Sequence, residues 1–111
     1  MDDNNFISFS DFVRADIRVG EIVKFEKVEG SNKLLKLEVY LGEECGTHTI
    51  MAGIAKHYAN PLGMLCLVVV NMAPRVMMGV ESRGMLLAGE DPVTKTVTLA
   101  MCGCPPGTRI G

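Results

Sequence analysis

The segment LLKLEVYLG, residues 34–42, alternates apolar and polar side chains along almost its whole length. One side of the extended chain carries only apolar residues: Leu35, Leu37, Val39 and Leu41. Successive side chains of a β-strand point to opposite faces, so this pattern predicts a strand with one face in a core and one toward water. The chain is thereby limited to folds in which a sheet packs one face inward.

Other strand-length segments are separated by turns rich in Gly, Pro, Asn and Asp. They predict strands within residues 16–28, 47–53, 64–70, 84–89 and 96–101. The first is long and half-exposed, and its alternation slips at Gly20, which predicts a bulge or a sharp bend there. Residues 64–70 are apolar throughout, so we expect that strand to be buried on both faces.

Two short helices are expected, one before the first strand and one between the third and fourth strands. Residues 6–13 have serines able to cap a helix start and apolar residues at helical spacing, so we expect this helix to dock on the body. Residues 53–60 predict a small helix between the third and fourth strands, ended by Pro61 and Gly63.

This order of elements predicts an all-β fold, a five-stranded barrel of the OB-fold type with a C-terminal β extension. An OB-fold binds oligonucleotides over its second and third strands and the adjoining loops. A small sandwich and an SH3-like barrel are the alternatives that the pattern leaves open.

Length and charge restrict the function. The chain has 111 residues, enough for one domain, which we place at residues 6–111 after a flexible tail of residues 1–5. Its net charge of −2 argues against a strongly basic nucleic-acid binder. Residues 1–49 carry ten acids and six bases, however, and residues 50–111 carry three acids and five bases, so a local basic surface is compatible with the total.

The cysteines are interpreted through the compartment. The acidic, polar start lacks the features of a signal peptide, and no apolar run is long enough to cross a membrane, so we expect a cytoplasmic protein without membrane contact. Disulfides are disfavoured there. Cys45, His48, Cys102 and Cys104 form C-x-x-H and C-x-C pairs that together have the ligand number of a zinc site. The alternative, which we favour, is reduced thiols with no metal and no cofactor.

Several separated motifs occur in an order that resembles a known family: DFVRADIRVGEI, VEGSNKLLKLEVYLG, IMAGIAKHY, VVVNMAPRVMMGVESRGMLLAG and PPGTRI. From about Phe6 to the last residue, the chain is similar to the tRNA-binding domain at the C-terminus of many methionyl-tRNA synthetases. It is also similar to small free-standing relatives of about this length. The resemblance implies an OB-fold that binds tRNA by shape, with little sequence reading, as a homodimer, alone or beside an aminoacyl-tRNA synthetase.

The resemblance also implies tRNA-binding residues. The family motif Gly-x-x-Ser-x-Gly-Met matches at Gly79, Ser82, Gly84 and Met85, which assigns Ser82 and Met85 to the RNA surface. The alternatives are a turn-capping hydroxyl for Ser82 and a core position for Met85. The family turn has an acid where this chain has Asn32, which removes a negative charge beside Lys33. Asn32 can still donate a hydrogen bond, so it is also a predicted tRNA-binding residue.

Three cations complete the predicted site. Lys33 lies in the loop between the first two strands, which OB-folds commonly place on nucleic acid; the alternative is a solvated surface lysine. Arg75 follows Pro74 and has the forked shape that suits phosphate. Lys56 lies on the predicted small helix.

Two further functions compete with tRNA binding. Chaperone-like relatives share the fold and bind peptide, and eight methionines suit an adaptable apolar surface. An enzyme is not expected, and neither is a small-molecule substrate, because the chain has no glycine-rich phosphate loop, no nucleophile elbow and no H-E-x-x-H motif.

Overall fold

The structure, a computed structural model, describes residues 5–111. Of the predicted tail, residues 1–5, only Asn5 is among them, and the rest of that prediction lies outside the described residues. The elements of residues 5–111 are α1 (Phe9–Phe12), β1 (Ile17–Lys27), β2 (Leu35–Tyr40), α2 (Gly42–Cys45), β3 (Thr47–Ala52), β4 (Leu65–Val69), β5 (Arg75–Met77), β6 (Val80–Ser82), β7 (Met85–Leu86), β8 (Ala88–Glu90), β9 (Val97–Leu99) and β10 (Arg109–Ile110).

The main sheet has the strand order β3-β2-β1-β4-β7, every neighbouring pair is antiparallel, and β10 adds to β1. The long β1 joins two parts of the sheet, because its first half pairs with β4 and its second half with β2. The hairpins β5–β6 and β8–β9 lie outside this path, and β3 contacts β6 and β7 across the remaining gap. The predicted all-β, OB-like barrel with a C-terminal β extension is confirmed.

Burial follows the alternation. Leu35, Leu37 and Val39 are at most 2% exposed, whereas the residues between them are only partly buried. Cys66 and Val68 of β4 join the same core.

Two local predictions differ from the structure. The segment expected to be a small helix at residues 53–60 is a single turn, in which the backbone N–H groups of His57 and Tyr58 both donate to the Ile54 carbonyl at 2.9 and 3.0 Å. The short helix lies instead at α2, where the sequence indicated only a turn.

Helix α1 also differs in its packing. It begins after Ser8, whose hydroxyl accepts a hydrogen bond from the Asp11 backbone N–H at 3.1 Å. Its apolar side does not dock on the body as expected, because Phe9 is 77% and Phe12 42% exposed. The helix therefore leaves apolar surface facing solvent.

Gly20 is required by packing and not by a bulge. The register shift of β1 lies between Ile22 and Lys24, which is after Gly20, the position where a bulge or sharp bend was predicted. A Cβ on Gly20 would lie 2.5 Å from Val39 Cγ1 and 2.8 Å from Leu41 Cδ2, inside the core.

We therefore expect Gly20→Ala to lower the free energy of unfolding by roughly 1–3 kcal/mol, the usual cost of overpacking a core. Gly89→Ala is the matched control, because a Cβ there meets no atom within 4 Å. Urea unfolding of both variants measures the difference. Equal stability of the two would show that the core around Val39 yields without cost.

Candidate nucleic-acid interface

The β1–β2 loop and the turn after β3 are joined by a backbone hydrogen bond. The Ala55 N–H donates to the Lys33 carbonyl at 2.9 Å, next to the register pair Leu35 and Ala52. Lys33 and Lys56 are both exposed at this junction. The structure thus brings two of the predicted cations to one end of the barrel.

Ser31 shapes the β1–β2 loop. Its Oγ accepts hydrogen bonds from the backbone N–H groups of Lys33 and Leu34 at 3.2 and 3.1 Å. This is a local side-chain turn of the kind that serine favours, and it leaves the Asn32 and Lys33 side chains exposed. This role of Ser31 was not predicted, although a serine two residues before Lys33 is typical of such a turn.

The β5–β6 hairpin lies beside the same loop. Gly30 has a φ of +85°, and a Cβ on it would lie 3.3 Å from Met78 Cε. The loop that carries Lys33 therefore neighbours the hairpin that carries Arg75 and Ser82.

Ser82 closes the barrel between β6 and β3. Its side chain is 6% exposed, and its Oγ accepts a hydrogen bond from the Met51 backbone N–H at 3.0 Å. The Arg83 N–H donates to the Thr49 carbonyl at 2.8 Å in the same gap. The hydroxyl thus connects β6 to β3 and does not cap a local turn. Within residues 5–111, the proton of this hydroxyl has no hydrogen-bond acceptor.

We expect Ser82→Ala to lower the free energy of unfolding by about 1–3 kcal/mol, because the buried Met51 N–H would lose its acceptor. Ser10→Ala removes an exposed hydroxyl that contacts only Ser8, and it serves as the control. Denaturant unfolding compares the two. A Ser82→Ala variant as stable as the wild type would show that another group can accept from Met51.

Arg75, Ser82 and Met85 line one groove with a volume of about 320 Å³. Arg75 and Ser82 are register partners in the β5–β6 hairpin, and Met85 pairs with Val69. Met85 is 44% exposed, so it is not a core residue. Gly84 turns the chain between Ser82 and Met85 with a φ of +100°.

Arg75 is free of acidic partners among the described residues. Within residues 5–111 its guanidinium donates only to the Met77 sulfur, at 3.7 Å, and Arg75 is the one charged residue that lines the groove. In contrast, Arg18, Lys36 and Arg109 are all ion-paired to carboxylates. The guanidinium is therefore available to an anion.

The predicted residues form two adjacent groups. Asn32, Lys33 and Lys56 lie at the loop junction, whereas Arg75, Ser82 and Met85 lie at the groove. The end of β3 joins them, because Ala52 pairs with Leu35 on one side and Met51 bonds Ser82 on the other. The sequence analysis missed Met51, Met72 and Ala73 of the groove, since only the fold brings them beside Ser82.

The suspected zinc ligands do not converge. Within residues 5–111, no group of three or more His, Cys, Asp or Glu side chains is placed to hold a metal ion. All four cysteines are free thiols. Burial raises the pKa of the Cys66 thiol to about 11, and the hydrogen bond that the Cys104 thiol donates to Cys102 raises the pKa of Cys104.

No helix in the described part of the chain is both long enough and apolar enough to cross a bilayer.

The chain is similar to known proteins over nearly its full length. A family model described as "Putative tRNA binding domain" matches residues 17–109. Methionine–tRNA ligase of Archaeoglobus fulgidus is 40% identical over 99% of this chain, which is 17% of that protein.

Two solved structures share the fold. The MetRS-related protein of Pyrococcus horikoshii superposes with a TM-score of 0.87 at 32% identity, covering 96% of this chain and 99% of that one. Chaperone CsaA of Bacillus anthracis superposes with a TM-score of 0.81 at 31% identity, with the same coverage of both chains.

The curated methionine–tRNA ligases are much longer than this chain, which spans 12–17% of the first four of them. The family model, in contrast, covers most of the barrel, from the start of β1 to β10. The chain therefore belongs to the tRNA-binding domain family.

Proposed function

We propose that this domain binds tRNA through its sugar–phosphate backbone and shape. The observation that carries the proposal is a connected surface on which Lys33, Lys56 and Arg75 are exposed and take part in no ion pair within the described residues. Cations without acidic neighbours attract phosphate, and phosphate contacts position a protein on RNA without reading its sequence.

Stacked single-stranded bases are a poorer match to this surface. Tyr58, one of the two tyrosines, is half-buried, and its hydroxyl accepts a hydrogen bond from the Leu99 N–H at 2.9 Å. Non-specific single-strand binders use rows of exposed aromatic rings. Among the described residues no aromatic ring lines the groove with Arg75, and the exposed Phe6, Phe9 and Phe12 are not part of that lining. A folded RNA held by its contour fits the residues better.

A second copy of the chain is the proposed partner of the N-terminal apolar face, which we define as Phe6, Ile7, Phe9, Phe12 and Val13. All five are exposed, three of them by 65% or more. Residues 97–101 near the C-terminus offer less apolar surface for such a contact, because Leu99 is only 3% exposed, although Met101 is 56% exposed. Few cations per domain imply weak binding, and two domains on one tRNA raise the effective affinity.

We further propose that the domain acts in the cytoplasm without catalysing a reaction, either alone or as an accessory to methionyl-tRNA synthetase. The matched ligases support the accessory role, and the Pyrococcus protein of matching length supports the free one.

A chaperone-like, peptide-binding role is the second candidate. It is supported by the similarity to CsaA and by the exposed methionines Met72, Met78 and Met85. An apolar groove would bind peptide with little dependence on salt, whereas phosphate binding releases counterions.

The test is the affinity for total tRNA measured from 50 to 300 mM salt, on the order of the range over which phosphate contacts weaken markedly. Three cations predict a log–log slope of about −2 to −3 per protomer. A labelled apolar peptide provides the comparison. Tight peptide binding, together with a tRNA affinity that does not change with salt or with no tRNA binding at all, would favour the chaperone role and contradict the proposal.

A further inference from the structure

The groove beside Arg75 is concave, whereas a paired RNA surface is convex. Its volume of about 320 Å³ lies at the lower end of small-molecule sites, which span roughly 300–1,000 Å³. An RNA helix cannot enter a space of this size. The groove therefore suits a single unpaired group that projects from the RNA.

The walls of the groove are apolar and polarizable. Of the described residues, three methionines and no aromatic residue line it: Met51 is buried, and Met72 and Met85 are 45% and 44% exposed. Thioethers pack favourably against aromatic rings, and their flexible chains adapt to the ring they meet. A flat aromatic body is thus the group that these walls fit.

The polar groups of the groove complete the match. Among the described residues Arg75 is the only charged residue of the lining, so the ligand should be anionic, and a guanidinium can bind phosphate through two hydrogen bonds. The Ser82 hydroxyl uses a lone pair on the Met51 N–H and keeps its proton for another acceptor. A nucleotide combines the three features that the groove suits: an aromatic base for the methionine walls, a phosphate for Arg75 and a polar base edge for the Ser82 hydroxyl.

We propose that the groove binds one extruded, unpaired nucleotide of the RNA, with its base between Met72 and Met85 and its phosphate on Arg75. The proposal rests on the tRNA binding proposed above and adds a contact that reads whether a nucleotide is unpaired. Extrusion is least costly where a base is already unpaired, which makes the groove selective for loops, bulges and ends.

The test uses three RNA hairpins that differ at one position: one with a bulged nucleotide, one with an abasic residue in that bulge, and one fully paired. The wild type is expected to bind the bulged hairpin about tenfold more tightly than the abasic one, the upper range for a ring packed against thioethers. Ala73→Leu narrows the groove without adding an aromatic ring and is expected to bind the bulged and abasic hairpins about equally. Ala73 is exposed, so the substitution leaves the core intact, and Val93→Leu is the control that introduces the same side chain at an exposed position outside the lining.

A second measurement is independent of the variant's folding. With 2-aminopurine in the bulge, its fluorescence should change when the wild type binds, and unchanged fluorescence would overturn the proposal. Equal affinity of the wild type for all three hairpins, alongside normal tRNA binding, would reject the groove but not the backbone contacts. Absence of binding to tRNA would reject both. Free AMP binding more tightly than the bulged hairpin, or an apolar peptide displacing the 2-aminopurine, would assign the groove to another ligand.

Discussion

Replacing Phe9 and Phe12 by aspartate is expected to convert the protein to a monomer and to weaken tRNA binding by about a hundredfold, the lower range of a bivalent gain. The two rings lie on the N-terminal apolar face and are exposed in the single chain, so their loss would remove the proposed contact with a second copy but little internal packing. Two carboxylates on each copy would also face each other across the contact, and burying unpaired charge is costly.

Sedimentation velocity at several concentrations, followed by a gel shift with total tRNA, measures both effects. Val93→Asp is the matched control, because Val93 is 86% exposed at the tip of the β8–β9 hairpin. It should leave the mass and the affinity unchanged. A dimeric Phe9→Asp/Phe12→Asp variant, or a wild type that is monomeric at all concentrations, would remove the N-terminal face as the site of self-association.

The double substitution Lys33→Ala/Arg75→Ala is expected to lower the affinity for tRNA by about a hundredfold at low salt, since charge-assisted hydrogen bonds contribute on the order of 1.5–3 kcal/mol each. The slope of log affinity against log salt should become shallower by roughly 1.5–2, from two lost phosphate contacts. The free energy of unfolding should change little, because both side chains are exposed and neither is ion-paired in the described structure.

A control variant removes the same charge elsewhere. Lys24 and Lys95 are exposed outside the groove and the β1–β2 loop, and Lys95 has a φ of +65°, so Lys24→Ala/Lys95→Asn is chosen to suit the backbone. If the control loses as much affinity as Lys33→Ala/Arg75→Ala, net charge and not a defined surface governs the binding. An unchanged slope in the test variant would exclude direct phosphate contacts at these residues.

Local patterns predicted the strands well because the alternation of apolar and polar side chains in a half-buried strand involves only residues that are neighbours in the sequence. The segment around Leu37 shows this most clearly. Patterns predicted the small elements less well. Residues 53–60 have a helical composition, yet they form only the single turn from Ile54 to Tyr58, and so short a turn gains too few hydrogen bonds to continue as a helix. The Tyr58 hydroxyl is instead hydrogen-bonded to Leu99 of β9. Gly20 attracted notice as a glycine in a strand, but its reason lies in Val39, nineteen positions away.

The sequence by itself determined the barrel-forming strands, the family and the types of residue that suit RNA, since periodicity and motif order need only the linear chain. The tertiary structure alone decided that Ser82 bonds Met51, that Met85 lines a groove with Arg75, and that the N-terminal rings face solvent. The physical reason is that burial and hydrogen bonding at these residues depend on partners far away in the chain. Such partners become neighbours only when the barrel closes.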